Sequence, residues 1–286
     1  MKSKFEKKPG SIIHVEVELT PEEFKAYWQK VYDASIGKVH LKGFRPGQAP
    51  KELASQALDP EKIFEQAAND AVRFGLNELA EENKWTVIDK PSVTIKGDGT
   101  NFKYEVDLTV FPEVTLADYK KIAKKSYEEF SKEKKEITVT PEEVEKSLEF
   151  IKKSGADLKN FKSEEDLKKS LGDGLKIEKE ERERDVQRLK VLTEIVDNSK
   201  MDIPQVMIEK TKAQGLNDDQ AKRNVSEHLV IYKIAQLEKI EPTPEEVGEQ
   251  VQLYAGHKTE VDKHKLYDYI YGVIQNQKVF EFLEKQ

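Results

Sequence analysis

The spacing of apolar residues changes once along this chain, and that change limits the folds open to it. Before residue 112 two short runs alternate apolar and polar side chains, or carry strand-forming residues between turn signals. After residue 140 every apolar run repeats at helical spacing. Val15, Val17 and Leu19 alternate with Glu16 and Glu18, the pattern of a half-buried strand over residues 11–19. Ser92–Lys96 and Phe102–Phe111 read as two further strands, joined by a hairpin turn at Gly97-Asp98-Gly99-Thr100. Between the strands, Thr20-Pro21-Glu22-Glu23 opens a helix with Phe24, Trp28 and Val31 on one face, ending near Gly37. Residues 60–83 predict a long helix with Ile63, Phe64, Ala67, Ala68, Ala71, Phe74, Leu76 and Leu79 inward.

After residue 140 the reading is helical throughout, with no strand pattern. Thr-Pro-Glu-Glu caps recur at 140–143 and 243–246, too short to count as a repeat. Helices are predicted across 141–153, across 176–198 (face Val186, Leu189, Leu192, Ile195), from Pro204, and across 218–240 (Val225, Leu229, Tyr232, Leu237). The last spans about 265–285 (Leu266, Ile270, Val273, Ile274, Phe280, Leu283). The intervening stretch from Lys120 to Glu136 holds seven lysines and four glutamates and reads as an extended, solvated connector. The expectation is an α+β fold. A small antiparallel sheet with helices fills 1–112, a linker spans 113–140, and an elongated all-α domain follows over 141–286.

The 286 residues suit about two domains. Apolar residues make up 37 % against a usual ~45–50 %, and charged residues 36 % against ~25 %, which fits much surface and modest cores. The net charge of −7 argues against a protein that coats nucleic acid, so any RNA contact should be local. There is no cysteine, which excludes disulfides and thiolate chemistry. The charged N-terminus lacks the apolar stretch of a signal peptide, and no run approaches the ~20 apolar residues of a membrane span. These features predict a cytoplasmic protein without a membrane partner.

Signatures of catalysis are missing: there is no P-loop, Gly-x-Ser-x-Gly elbow, His-Glu-x-x-His or dinucleotide glycine fingerprint. His257 and His264, with Glu260 and Asp262 between them, are the nearest approach to metal-ligand spacing, but exposed histidines at a helix junction read as solvated. Carboxylate pairs such as Glu142 and Glu143 read as helix caps. The chain is therefore expected to be no enzyme, with no catalytic residue, metal or cofactor.

The most informative stretch is Lys38 to Lys51, a short connection between helices with two glycines and two prolines. Lys38, Lys42, Arg45 and Lys51 concentrate positive charge in an otherwise acidic protein, around one aromatic, Phe44. A projecting loop of this kind suits RNA phosphates and an acidic or apolar groove on a protein. A plain helix–helix turn with Phe44 tucked inward fits the same residues equally well.

Gly43-Phe44-Arg45-x-Gly47-x-x-Pro50 resembles the ribosome-docking signature of the trigger factor family of nascent-chain chaperones. Glu81-Glu82-Asn83, Pro91 to Lys96 and Tyr104 to Tyr119 are similar to that family's ribosome-binding domain. Val191 to Glu209 and the final helix are similar to its helical chaperone domain. The resemblance implies an ATP-independent chaperone docked at the exit tunnel of the large ribosomal subunit, in contact with an exit-tunnel protein and rRNA. Docking would run through Lys42, Gly43, Phe44, Arg45, Pro46, Gly47, Pro50 and Lys51. It implies nascent or unfolded polypeptides as clients, and allows weak self-association into a homodimer. Two departures stand out. Pro46 replaces a basic residue usual in the family, with Lys42 and Lys51 available to compensate. The segment from 141–153 through Ser154 to Leu158 runs straight on to Lys162, leaving no room for a prolyl isomerase domain of ~100 residues. Candidate client contacts are Met201 and Met207, then Tyr254, Tyr267 and Tyr271, with Tyr269 beside them; Met is adaptable and Tyr amphipathic. Ile203 and Ile208 in the same stretch read as core. A free holdase without ribosome docking is the rival reading.

Overall fold

The alternation at residues 12–19 forms strand β2 (Ile12–Leu19), the centre of a four-stranded antiparallel sheet with β1 (Lys2–Lys8), β3 (Ser92–Ile95) and β4 (Phe102–Thr109), in the order β1-β2-β4-β3. The register pairs Ile13 with Leu108, Val15 with Val106, Val17 with Tyr104 and Leu19 with Phe102, and all eight are buried. Each such aliphatic side chain contributes about 1.5–3 kcal/mol by leaving water. The other face is charged: His14 Nδ1 lies 2.6 Å from Asp107 Oδ1, and Glu18 faces Lys103. The His14 hydrogen bond, seconded by Lys8, holds the Asp107 carboxyl below its ordinary range. Strand β1 has no sequence pattern to betray it. Its seven residues include four lysines and lie at the sheet edge, where such charges oppose pairing with another chain.

The computed structural model describes residues 1–44, 50–97, 101–133, 136–154, 163–255 and 262–286. The hairpin turn expected at 97–100 lies mostly outside them, although β3 and β4 do pair antiparallel. On the sheet lie α1 (Pro21–Ile36) and α3 (Pro60–Glu82), with the short α2 (Lys51–Gln56) between them in sequence. Thr20 caps α1 as expected: its hydroxyl accepts from the Glu23 N–H at 3.3 Å, and Glu23 accepts from the Thr20 N–H at 2.9 Å. The predicted inner face of α3 is buried except for Phe64 and Phe74, which are exposed. Ala68, Ala71 and Gly75 of α3 face the sheet, whose own Phe102 and Tyr104 rings fill the space against them. Phe64 instead sits against Phe24 and Phe102 (centroids 5.3 and 6.3 Å apart), and Phe74 stacks on Tyr27 (6.4 Å).

The remaining elements are β5 (Val114–Thr115), α4 (Tyr119–Glu133), α5 (Pro141–Ser154), α6 (Glu164–Asn198), β6 (Lys200–Met201), α7 (Gln205–Lys212), α8 (Asp218–Glu238), α9 (Pro244–Ala255) and α10 (Lys263–Leu283). β5 and β6 form a two-stranded sheet, each strand too short to leave a pattern in sequence. The Thr-Pro-Glu-Glu caps at 140–143 and 243–246 repeat the Thr20 geometry, with N–H to hydroxyl distances of 3.3 Å at both.

Five expectations need correction. The segment 113–140 is not extended throughout. Ile122, Ala123, Ser126, Tyr127 and Phe130 form a narrow helical stripe hidden among lysines, and Ala123 and Ser126 are buried. Residues 201–222 do not belong with 141–286. The chain divides into Met1–Glu113 with Met201–Lys222, and Val114–Lys200 with Arg223–Gln286; the Ser11 N–H donates to Asp202 Oδ2 at 2.9 Å. The predicted face of α6 is also wrong. Leu192 and Ile195 are buried with Val191 and Val196, but Val186 and Leu189 are exposed. Steps of three residues fall ~60° short of a full turn each time, so Val186 and Ile195 end on opposite sides. Likewise, in α8 Val225 and Leu229 are buried while Tyr232 and Leu237 are exposed. In α10 Ile270 and Leu283 are buried while Val273 is exposed.

In the second unit Glu284, which ends α10, holds two arginines of α6: Arg184 Nε at 2.9 Å and Arg188 Nε at 2.7 Å. Burial alone would raise the Glu284 pKa, but the two guanidiniums outweigh it and the net shift is downward. A depressed folded pKa adds stability above the unfolded value and loses it as pH falls through the folded one. Acidification below about pH 4.3 should therefore lower the urea midpoint of this unit, and Glu284→Gln, weaker at neutral pH, should lose less. Equal acid loss in both proteins would contradict the clamp. In the first unit, a Cβ at Gly75 would lie 2.6 Å from the hydroxyl of buried Tyr104. Gly75→Ala should therefore destabilise by about 1–3 kcal/mol, although Ala in a helix normally gains about 1 kcal/mol over Gly. Adding Tyr104→Phe should recover most of the loss in denaturant titrations; a Gly75→Ala protein as stable as the parent would refute the close packing.

Candidate functional site

Two features can meet partners, one in each unit, and each is built by its local sequence. In the first unit the connection after α1 begins at its C-cap Gly37. The Phe44 N–H donates to the Leu41 carbonyl at 3.1 Å, closing a turn in which Gly43 adopts φ +94. That left-handed conformation is strained for other residues, which explains a glycine immediately before the aromatic. Phe44 is 43 % exposed, so the inward-tucked alternative does not hold. Lys42 and Lys51 are exposed, and Pro50 is the N-cap of α2. Arg45, Pro46 and Gly47 lie outside the described residues. α2 buries Ala54 and leaves Leu53 exposed near this segment in sequence, a residue that sequence reading passed over because one leucine in a six-residue helix has no period.

In the second unit a groove of about 790 Å³ runs between α4 and α6. Tyr127, Phe130 and Ile137 line it on the α4 side, Ile177 and Gln187 on the α6 side, with Glu284 at its end. Ile177 is 56 % exposed. The Tyr127 hydroxyl is buried without a hydrogen-bond partner among the described residues, and burial pushes its pKa up to about 12, so it stays protonated at neutral pH. None of these residues was a sequence candidate, because the groove needs α4 to be a helix.

The expected client contacts are dispersed. In the first unit Met201, Ile203 and Met207 are half-buried, and Ile208 is buried, as its reading as core requires. In the second, Tyr254, Tyr267 and Tyr269 are exposed and Tyr271 half-buried. Leu253, exposed next to Tyr254, and Phe150, the most exposed large apolar side chain of α5, were not anticipated. His257 lies outside the described residues, and among the described ones no group of His, Asp or Glu could hold a metal. No helix among them is long and apolar enough to cross a membrane.

Comparison with known proteins supplies the context. The sequence profile described as "Bacterial trigger factor protein (TF)" matches residues 1–151. A trigger factor of Acetivibrio thermocellus is 33 % identical over 155 residues, covering 54 % of this chain and 34 % of the relative. One from Caldicellulosiruptor saccharolyticus is 35 % identical over 162 residues, with the same coverage of 54 % and 34 %. The match thus spans about a third of the length of these curated relatives. A solved structure described under "Promiscuous Substrate Recognition in Folding and Assembly Activities of the Trigger Factor Chaperone" aligns over 100 % of both chains with a TM-score of 0.58 at 14 % identity, a likeness of fold. With its profile match over more than half its length, the chain belongs to the bacterial trigger factor family.

Proposed function

We propose that this protein is an ATP-independent molecular chaperone of the cytoplasm that docks at the exit tunnel of the large ribosomal subunit and shields nascent or unfolded chains. The observation that carries this reading is the exposure of Phe44 behind a positive-φ glycine, within a lysine-bearing segment of an otherwise acidic chain. One aromatic can bury itself in an apolar groove of an exit-tunnel protein while Lys42, Arg45 and Lys51 meet rRNA phosphates. Pro50, the N-cap of α2, ends the segment on its far side. The apolar side chains left in solvent by the second unit, Tyr254 and Tyr267 among them, offer weak and adaptable contacts to unfolded segments. Met201 and Met207, half-buried, would add to these after local movement. The sequence holds no nucleotide-binding loop to couple release to hydrolysis, so weak contact itself permits release. The reading includes no prolyl isomerase activity, and weak homodimer formation off the ribosome.

Pro46 favours one second reading, a free holdase, since it removes a cation from the tip. Co-sedimentation with ribosomes separates the two. The intact protein should pellet at low salt and less at moderate salt, as screening of phosphate contacts requires. A Phe44→Ala, Arg45→Ala variant should stay in the supernatant. Failure of the intact protein to pellet at low salt would leave the free holdase. A proline tetrapeptide should isomerise at the uncatalysed rate in its presence, and acceleration would refute the non-enzymatic reading.

A further inference from the structure

Helix α5 lies antiparallel on the first part of α6, through a thin apolar seam bordered by ion pairs. Leu148 is the one buried apolar residue of α5, and Leu167 the one buried residue of α6 before Val191. Along the seam Lys152 pairs with Glu164 at 3.2 Å, Lys168 with Glu145 at 2.5 Å and Lys179 with Glu143 at 2.7 Å. The six side chains are between 34 % and 57 % exposed, so each pair adds little by itself and is open to screening by salt. Lys179 also donates to the Thr138 carbonyl at 2.9 Å, in the stretch that leads from α4 into α5. Glu143 in turn accepts the Thr140 N–H at 2.8 Å, so one ammonium gathers that stretch, the cap of α5 and α6 itself. Between Lys168 and Lys179, α6 contains Gly172-Asp173-Gly174. Glycine weakens a helix relative to alanine, and packing demands neither of these two. A Cβ on Gly174 would meet nothing within 4 Å, and one on Gly172 would make ordinary contact with Val144 at 3.8 Å. Gly248 and Gly272 stand singly in their helices; among the described residues no other helix holds two glycines so close together.

We infer that α5 and the start of α6, up to Leu171, form an arm that swings about Gly172–Gly174, and that Lys179 is the strap that holds the arm closed. The arm joins the rest of the unit at two places, the non-helical stretch 136–140 and the glycine pair. Lys179 lies just beyond the glycines and reaches Thr138 and Glu143, so it ties the two joints together. Leu148, Leu167 and the pairs Lys152–Glu164 and Lys168–Glu145 lie wholly within the arm and move with it. Releasing Lys179 therefore exposes no buried apolar side chain, and the strap yields before the seam does. Salt is the trigger that this construction favours, since the screening length falls from ~10 Å at 0.1 M to ~3 Å at 1 M. The movement reaches the α4–α6 groove. Glu136 and Ile137 at one joint, and Lys176 and Ile177 just past the other, are among the residues that line it. Their separation follows the arm, so the strap sets the width of the groove at that end.

The chain has no cysteine, so spin labels can be placed on introduced ones in the full chain. Exposed positions suit this: Lys146→Cys with Val186→Cys spans the hinge, and Lys146→Cys with Lys169→Cys lies within the arm. Pulsed dipolar EPR should give the hinge-spanning pair one dominant distance at low salt and a growing second distance toward about 1 M salt. Lys179→Gln should raise the ratio of second to first about two- to fivefold at low salt, the scale of one exposed ion pair, and remove most of the salt dependence. Adding Gly172→Ala and Gly174→Ala to Lys179→Gln should bring the ratio back toward that of the parent, because a stiffer α6 resists bending. The pair within the arm should keep a single distance in every sample. A Lys179→Gln protein with the parent's ratio at every salt concentration would overturn the strap. Broadening of the within-arm distance in step with the hinge-spanning one would show the arm melting and would overturn the hinge.

Discussion

Helix α6 is buried at its two ends and only partly covered in the middle, where Lys179 donates to the Thr138 carbonyl and to Glu143. Its 35 residues make it about 50 Å long, yet its buried side chains are Leu167 near the start and Val191, Leu192, Ile195 and Val196 near the finish. A chain with 37 % apolar residues cannot clothe so long a helix on all the faces its neighbours leave open. The consequence is chemical. Ile177, Val186 and Leu189 remain in solvent, kept soluble by a dense run of glutamates, lysines and arginines around them. Elsewhere such side chains would mark a defect; under the chaperone function proposed above they would be the surface that touches unfolded chains. The ion pairs of Arg184 and Arg188 with Glu284 fix the end of α10 against this helix without covering that surface.

The first unit follows the opposite rule. Its sheet face is filled by aliphatic and aromatic side chains, and α3 meets it through Ala68, Ala71, Val72, Leu76 and Leu79, with Gly75 against Tyr104, so little room is left for adjustment. A stiff base of this kind suits a short loop that has to present one aromatic and a few cations in a fixed arrangement. Gly43 supplies the backbone turn behind Phe44, and the Thr20 capping box fixes the start of the helix that leads to the loop.

Most of the first unit was legible in the sequence. The alternation in Val15, Val17 and Leu19 set one central strand and its face, and Thr20-Pro21-Glu22-Glu23 set the start of α1, as the same cap does for α5 and α9 of the second unit. Strand β1 was not legible, since an edge strand protected by lysines carries no apolar period. In the second unit helices were readable but their faces were not. Three-residue spacing in Val186, Leu189, Leu192 and Ile195 drifts around the helix, and which part of that spiral is buried depends on neighbours far away in sequence. Helix α4 was masked by composition, its stripe of Ile122, Ala123, Ser126, Tyr127 and Phe130 being diluted by lysines. The tip could be named as a candidate from sequence because its residues are contiguous. The groove was missed because Phe130, Ile137, Ile177 and Glu284 come together only through packing.

Under the proposed function one molecule would join a tip that holds the ribosome with a helical surface that holds the chain emerging from it. Photo-crosslinking on purified ribosomes stalled with a nascent chain addresses both at once, using a photoreactive amino acid at position 44 in one sample and at position 177 in another. The account predicts adducts from position 44 with large-subunit components and from position 177 with the nascent chain. Position 44 giving no ribosomal adduct, with position 177 silent toward the nascent chain, would contradict it.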